Sequence, residues 1–187
     1  MIDTQYTLHN DDCLQHLQSL EGAAEAIITD PPFGLSYSSG HGSSSWSDGA
    51  IHGDSDTSLR DAIVAWAIQE NIPMLCFGSW KVPRPSETKA LLVWDPGGAL
   101  GMGDLKIPWK PAHQEIYVIG NTDGFVGPRT SDVLSFPPVQ SMAKNGRLHP
   151  MEKPTALIKS LILKLEAQII FDPFMGSGTT GVACMQL

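Results

Sequence analysis

Short apolar runs alternate with amphipathic segments along this chain. A short apolar run bounded by Gly, Pro, Asp or Asn is typical of a buried strand, whereas apolar residues that recur every three or four positions indicate a helix. Alternation of the two predicts an α/β fold. We expect strands near 5–9, 25–29, 73–77, 90–94, 114–119 and 168–172, and helices near 13–20, 57–70, 154–166 and from residue 180 onward.

Two of the predicted strands run directly into Asp-Pro. Residues 26–34 read Ala-Ile-Ile-Thr-Asp-Pro-Pro-Phe-Gly, and residues 169–180 read Ile-Ile-Phe-Asp-Pro-Phe-Met-Gly-Ser-Gly-Thr-Thr. In an open α/β sheet, ligands bind just beyond the carboxyl ends of the strands. Both segments therefore place a carboxylate and backbone polar groups where we expect a ligand site.

The first segment suits chemistry on a planar, weakly nucleophilic amine. The carboxylate of Asp30 and the backbone carbonyl of Pro31 can accept the two N–H bonds of such an amine, which localises the nitrogen lone pair as the transition state forms. Pro32 has no N–H to compete for the substrate, and Phe33 offers a flat face on which an extruded base can stack. Asp-Pro-Pro is also a common way to end a strand, so this segment alone leaves both interpretations open.

The second segment predicts a glycine-rich turn between a strand and a helix. Gly176 and Gly178 permit close approach of the backbone to a ligand, and Thr179 or Thr180 can begin the helix. A phosphate is the alternative ligand for such a turn. The lysine of the P-loop and the G-x-G-x-x-G spacing of dinucleotide-binding loops are both missing from this segment, however.

Together the two segments resemble those of the amino-methylating DNA methyltransferases, which move a methyl group from S-adenosylmethionine to an exocyclic base nitrogen. In that family Asp-Pro-Pro-Tyr/Phe is the catalytic motif and Asp-Pro-Phe-x-Gly-Ser-Gly-Thr-Thr is the cofactor loop. The resemblance implies catalytic roles for Asp30, Pro31, Pro32 and Phe33. It also implies cofactor contacts from Asp30, Asp172, Pro173, Phe174, Gly176, Ser177, Gly178, Thr179 and Thr180.

A Lys-Pro pair extends the resemblance. Residues 149–155 read His-Pro-Met-Glu-Lys-Pro-Thr and precede a run with helical spacing. In the family, such a Lys-Pro pair packs against the methionine part of the cofactor, which implies cofactor contacts from Lys153 and Thr155. The alternative is an ordinary helix start with Pro154 in the first turn.

The amino-terminal segment resembles the family strand that ends in Gly-Asp-Cys-Leu. The aspartate of that strand lies near the adenine of the cofactor, and it aligns here with Asp12. Asp11 stands where the family has glycine, so the alignment is open by one residue. Asp12 could equally cap the helix that is predicted to follow.

The order of the motifs, with the catalytic segment before the Lys-Pro segment and the cofactor segment last, resembles the beta group of the family. The resemblance implies an S-adenosylmethionine-dependent, Rossmann-like mixed sheet with helices on both faces and an antiparallel edge hairpin formed by 90–94 and 114–119. We expect one catalytic domain over 1–187, without a separate target-recognition domain. The Gly- and Ser-rich stretch 36–56 is expected to be a mobile lid, or else a merely disordered loop.

The net charge of −8 is distributed unevenly. Residues 1–80 contain one basic and 11 acidic residues, whereas residues 81–164 contain 11 basic and 7 acidic residues. We therefore expect phosphate contacts from the middle of the chain, with solvated surface as the alternative for any single residue. The DNA-binding candidates are Lys81, Arg84, Lys106, Lys110, Arg129, Lys144 and Arg147.

Further expectations concern the environment of the protein. The three cysteines have no paired or metal-like spacing, which predicts reduced thiols in a cytoplasmic protein without a metal. No apolar run approaches membrane-spanning length, and the start of the chain is polar, so neither a membrane segment nor a signal peptide is expected.

The end of the chain departs from the family. The resemblance implies a further strand after residues 181–187, ending in an acid that binds the ribose hydroxyls of the cofactor. No such strand follows in this sequence. We therefore expect a truncated chain or a naturally shortened relative, weak cofactor binding, and a homodimer or strand exchange as compensation.

Three hypotheses for the activity remain open. Methylation of DNA at N6 of adenine is favoured because Asp30 begins the catalytic motif, and N4 of cytosine, where the family more often has Ser, is the alternative. The second hypothesis is an inactive remnant that binds nucleic acid or a partner protein. The third is methylation of RNA or of a protein amide. A genome-modification role, in restriction-modification or of phage-like origin, fits the first hypothesis.

Overall fold

The computed structural model describes residues 6–35, 53–98, 100, 103–139 and 152–187. Four α-helices lie within these ranges: α1 (Cys13–His16, continued by a 3-10 turn over Leu17–Leu20), α2 (Ser58–Gln69), α3 (Thr155–Ile162) and α4 (Thr179–Met185). The six strands are β1 (Ala26–Thr29), β2 (Pro73–Gly78), β3 (Ala90–Asp95), β4 (Gln114–Gly120), β5 (Val133–Ser135) and β6 (Ile170–Phe171).

The strands form one mixed sheet in the order β5-β3-β4-β2-β1-β6. β1 is parallel to both β2 and β6, and β3 is parallel to β5, whereas β4 is antiparallel to its neighbours β2 and β3. The carboxyl ends of the five parallel strands therefore lie at one edge of the sheet, together with the beginning of β4. We call this edge the site edge, because ligands bind there in α/β sheets.

Alternating residues of the strands face two hydrophobic clusters, one on each side of the sheet. Ile28 packs with Leu157 of α3 and Ala183 of α4 on one side. Ile27 packs with Ile63 of α2 on the other side. Each of these side chains is at most 2% exposed. The fold is therefore the predicted α/β sheet with helices on both faces, and the period-two pattern of the strands assigns each residue to its face.

Four predicted strands form close to their predicted positions, and the predicted hairpin is the antiparallel pair β3 and β4. β5, which was not predicted, pairs with the outer side of β3. The strand predicted near 168–172 contains only Ile170 and Phe171. Of the four predicted helices, the first three are shorter than predicted, and the fourth begins at Thr179, one residue before its predicted start. α3 stops at Ile162 because the chain turns there and Leu165 forms a bridge with Phe125.

The strand predicted near 5–9 is wrong for its described residues 6–9, which form no regular structure. The alternation of Tyr6 and Leu8 suggested a half-buried strand, but both side chains are 67% exposed. A strand needs a partner for its backbone groups, and no ladder pairs this segment with a strand of the sheet. Within the described ranges, no helix is long and apolar enough to cross a bilayer. Of the predicted lid, residues 36–52 lie outside the described residues.

Candidate active site

Asp30 and Asp172 both lie at the site edge, because they follow the neighbouring parallel strands β1 and β6, in which Ile27 is opposite Phe171. Both carboxylates line one open cleft. The structure therefore brings the two Asp-Pro segments, which are far apart in sequence, into one site. The cleft is lined by Ile28, Thr29, Asp30, Phe77, Lys153, Ile158, Asp172, Phe174, Met175, Gly176, Ser177, Thr179 and Thr180.

Asp172 is held by hydrogen bonds at the floor of the cleft. The hydroxyl of Thr29 donates to its Oδ1 at 3.0 Å, and the backbone N–H of Phe174 donates to the same oxygen at 3.2 Å. Desolvation raises the pKa of Asp172 to about 6, and the negative charge of Asp30 adds to the increase, although the hydrogen bonds oppose it. A carboxyl group with such a pKa gains from a neighbouring cation, which would favour its ionised form.

The glycine-rich turn adopts backbone conformations that favour glycine. Gly176 has a φ of 52° and Gly178, the residue before α4, has a φ of 76°. A Cβ atom at Gly178 would meet nothing within 4 Å, and one at Gly176 would meet only the carbonyl oxygen of Phe174 at 3.9 Å. The turn is therefore fixed by its φ angles and leaves space beside its backbone, as a ligand-binding loop requires.

Lys153 forms an ion pair with Asp30. The ammonium donates to Oδ2 of the carboxylate and lies 5.0 Å from the centroid of the Phe77 ring. Lys153 is only 6% exposed, and a buried ammonium requires such a partner. The amide of Gln114, the first residue of β4, approaches the other oxygen of Asp30, with 3.5 Å between Nε2 and Oδ1. Lys153 thus contacts the predicted catalytic carboxylate, a contact that the sequence did not indicate.

The turn after the Asp-Pro-Pro-Phe segment is fixed by a buried aspartate that sequence analysis missed. Asp54 is 4% exposed, and its Oδ1 accepts hydrogen bonds from the backbone N–H groups of Gly34 at 2.7 Å and Leu35 at 3.3 Å. Gly34 has a φ of 74°, and a Cβ atom there would lie 2.6 Å from the carbonyl carbon of Asp56. The end of the predicted lid is therefore packed against the catalytic segment. The sequence signal for this turn was the pair Gly53-Asp54, which is difficult to distinguish from the other Gly, Ser and Asp residues of the polar stretch 36–56.

The other predicted catalytic and cofactor residues differ in their positions. Pro31 is buried, whereas Pro32 and Phe33 are partly exposed, and Phe33 packs against the core. Asp12 caps α1 by accepting from the N–H of Leu14 at 2.9 Å, which is the alternative role considered for it. Seven of the predicted catalytic and cofactor residues do not line the cleft: Pro31, Pro32, Phe33, Asp12, Thr155, Pro173 and Gly178.

The predicted DNA-binding residues do not share one surface. Lys81 follows β2, and Lys106 and Lys110 precede β4, so these three exposed lysines lie at the site edge. Arg84 instead donates two hydrogen bonds to Glu115, from Nε at 3.2 Å and from an Nη atom at 2.6 Å. Arg129 lies between the end of β4 and the beginning of β5, at the opposite edge. Lys144 and Arg147 lie outside the described residues. Within the described ranges, no group of His, Cys, Asp and Glu side chains is arranged to hold a metal ion.

Comparison with known proteins gives a family match to part of this chain. The DNA methylase family matches residues 109–187, which include Lys153, Asp172 and the glycine-rich turn. The resemblance to this family is confirmed. Type II methyltransferase M.HpaI from Haemophilus parainfluenzae is 41% identical over 63 residues, which are 33% of this chain and 20% of that protein. Type II methyltransferase M2.MboI from Moraxella bovis is 43% identical over 54 residues, which are 28% of this chain. The match thus spans about a fifth of the length of these relatives.

Solved structures of other proteins have the same fold. The complex of M1.HpyAVI with SAM superposes with a TM-score of 0.61 at 20% sequence identity, covering 95% of this chain and 87% of that one. TTHA0409, a putative DNA modification methylase from Thermus thermophilus, gives a TM-score of 0.56 at 13% identity, covering 97% of this chain and 85% of that one. The predicted S-adenosylmethionine-dependent methyltransferase fold is thereby confirmed.

Proposed function

We propose that this chain transfers a methyl group from S-adenosylmethionine to an exocyclic amino nitrogen of a base in DNA, with N6 of adenine as the first candidate. The observation that carries the proposal is the meeting of Asp30 and Asp172 in one cleft, at the ends of adjacent parallel strands. The DNA methylase match over 109–187 supports the reaction class, and the SAM bound by M1.HpyAVI agrees with the cofactor.

The residues of the cleft fit S-adenosylmethionine, which joins a cationic amino acid to a nucleoside. The carboxylate of Asp172 suits the positive charge, and the apolar side chains of Ile158 and Phe174 suit the methylene groups. The open backbone at Gly176 and Gly178 allows close approach. When bound, S-adenosylmethionine supplies an electrophilic methyl group on a sulfonium. These residues would hold it against the floor of the cleft.

Asp30 would act directly on the target amine. An exocyclic amino group is a poor nucleophile because its lone pair is delocalised into the base. The carboxylate of Asp30 and the carbonyl of Pro31 would each accept one N–H bond, which draws the nitrogen toward tetrahedral geometry and localises the lone pair. As the nitrogen becomes positively charged, the carboxylate stabilises it more strongly than it stabilises the neutral amine. The stabilisation is therefore greatest in the transition state.

Lys153 would position Asp30 rather than bind the cofactor alone. Its ammonium occupies Oδ2, and the amide of Gln114 approaches Oδ1, so both partners restrict the orientation of the carboxylate. This arrangement differs from the contact with the methionine part of the cofactor that the family resemblance implied.

The test is transfer of a tritiated methyl group from S-adenosylmethionine to unmethylated DNA, followed by nucleoside analysis of the product. We expect labelled N6-methyladenine. Labelled N4-methylcytosine would instead identify cytosine, the alternative base, as the target. The matched control is Asp30→Ala, for which we expect the rate to fall about 100-fold or more while cofactor binding persists, because a transition-state acceptor is lost. DNA binding without transfer by the unmodified chain would instead indicate the inactive remnant.

A further inference from the structure

The connection between β3 and β4 lies beside the predicted catalytic residue. β3 is parallel to β2 and β1, so its last residue, Asp95, and the first residue of β4, Gln114, both lie at the site edge. The amide nitrogen of Gln114 is 3.5 Å from Oδ1 of Asp30. The described residues 103–113 immediately before it, which we call the β3–β4 loop, therefore lead into the residue that approaches Asp30, at the same edge of the sheet as the cleft.

The β3–β4 loop presents large apolar side chains to solvent. Leu105 is 80% exposed, Ile107 is 53% exposed and Trp109 is 78% exposed. The exposed lysines Lys106 and Lys110 follow two of them directly in the sequence. A single exposed apolar residue is ordinary, but three within five positions of one loop indicate a binding surface. Their alternation with lysines favours a ligand that is both apolar and anionic.

Backbone contacts hold the β3–β4 loop in a closed shape. The N–H of Leu100 donates to the carbonyl of Pro111 at 2.9 Å, which ties the end of the loop to the chain that precedes it. Inside the loop, the N–H of Ile107 donates to the carbonyl of Asp104 at 3.1 Å, and the N–H of Lys106 donates to the side chain of Asp104 at 2.9 Å. The apolar side chains are therefore presented by a loop that is hydrogen-bonded on itself.

We propose that the β3–β4 loop is a wedge that enters the base stack of double-stranded DNA next to the target base, with Trp109 at its tip. The proposal rests on the proposed function, because an enzyme that acts on a base within a duplex must extrude it. Extrusion unstacks the neighbouring bases, and an inserted apolar or aromatic side chain replaces part of the lost stacking. Lys106 and Lys110 would contact the phosphates on either side.

A wedge is needed only when the target base has to leave a duplex. The test therefore compares methyl transfer to unmethylated double-stranded DNA with transfer to the same DNA after heat denaturation, for the unmodified chain and for Trp109→Ala. We expect Trp109→Ala to lower the rate on the duplex by about tenfold or more, the scale of one aromatic stacking contact, and to leave the rate on single strands within about twofold. This comparison does not require the recognition sequence.

Leu163→Ala is the matched control. Leu163 is 64% exposed but follows α3 at the opposite edge of the sheet, so its loss should change neither rate. Equal loss on both DNA forms by Trp109→Ala, or no loss on the duplex, would overturn the wedge while leaving the proposed function in place. Conversion of a dimer into a monomer by Trp109→Ala, measured by sedimentation, would assign the loop to a second copy of the chain. If the unmodified chain transfers to neither DNA form, the proposed function itself fails.

Discussion

Lys153 and Asp30 form an ion pair across 123 positions of the sequence, between a nearly buried ammonium and the carboxylate that directly follows β1. Removal of either partner of a buried pair leaves the other charge poorly compensated, which is strongly unfavourable. The pair therefore fixes the segment before α3 against the end of β1. It also orients the group that we propose acts on the amine.

We expect Lys153→Met to lower the rate of methyl transfer by about tenfold or more and to leave the dissociation constant for S-adenosylmethionine within about twofold. The reason is that the ammonium contacts Asp30, so its loss disturbs the acceptor rather than the cofactor. Single-turnover kinetics and calorimetric titration measure the two quantities. Lys153→Arg, which keeps the charge, should recover part of the rate. A large loss of cofactor affinity with an unchanged rate would restore the cofactor role that the family resemblance implied.

The affinity for S-adenosylmethionine should depend on pH through Asp172. Since the pKa of this carboxyl group is raised to about 6 in the free protein, the ionised form that attracts a cation is lost as the pH falls below that value. Calorimetric titration should show about twofold weaker binding at pH 6 than at pH 7.5, and about tenfold weaker binding at pH 5. Asp172→Asn should bind more weakly at pH 7.5 and lose most of this dependence. A flat profile in the unmodified chain would contradict the role of Asp172.

The raised pKa of Asp172 also predicts how the stability of the cofactor-free protein depends on pH. A carboxyl group whose pKa is raised in the folded state contributes stability below its unfolded pKa and loses that contribution as the pH rises through the folded value. Asp172→Asn removes the titration but keeps an oxygen that can accept from Thr29 and Phe174. Urea unfolding should therefore show the free energy of unfolding of the variant rising by up to about 3 kcal/mol relative to that of the unmodified chain between pH 4 and pH 7, because the pKa of Asp172 is raised to about 6. If the free energies of unfolding of the two proteins instead change in parallel with pH, desolvation raises the pKa of Asp172 only slightly.

Gly176→Val should weaken S-adenosylmethionine binding about tenfold or more. The side chain would enter the space beside the turn, and the φ of 52° at this position is unfavourable for a β-branched residue. The matched control is Gly181→Val in α4, where a Cβ atom meets nothing within 4 Å and φ is not positive. Circular dichroism should confirm that both variants fold. Equal affinities of the two variants for S-adenosylmethionine would show that the cofactor does not bind at this turn.

Asp54→Ala should lower the rate of methyl transfer and leave cofactor affinity unchanged. The substitution removes the acceptor for the N–H groups of Gly34 and Leu35, which fix the turn after the catalytic segment. A fully buried N–H without a partner costs about 1–3 kcal/mol, and the part-buried N–H of Gly34 should cost less, so the melting temperature should fall slightly as well. Asp54→Asn keeps an acceptor oxygen and separates the two effects, because it should restore most of the rate. A rate that is insensitive to Asp54→Ala would show that the turn is fixed by other contacts.

Local sequence was sufficient for much of the fold and for the two central motifs. The apolar runs at β1, β2 and β4 predicted strands because burial on both faces demands continuous apolar residues there, and the apolar run of the less buried β3 gave the same prediction. The Asp-Pro segments predicted that Asp30 and Asp172 would share a site, because parallel strands end at one edge. The failed strand near 5–9 shows the limit of such patterns. Alternating Tyr6 and Leu8 satisfy the period of a strand, but only a neighbouring strand can satisfy the backbone.

Tertiary structure alone decided which charged groups act together. Lys153 contacts Asp30, Arg84 contacts Glu115, and Asp54 contacts the turn at Gly34, and none of these pairs follows from the spacing of the residues. Arg129 is positively charged, as Lys106 is, but it lies at the other edge of the sheet. The hydrophobic pattern fixes which face of a strand is buried, since that depends on neighbours within a few residues. The order of the strands brings distant loops together, and it depends on packing across the whole chain.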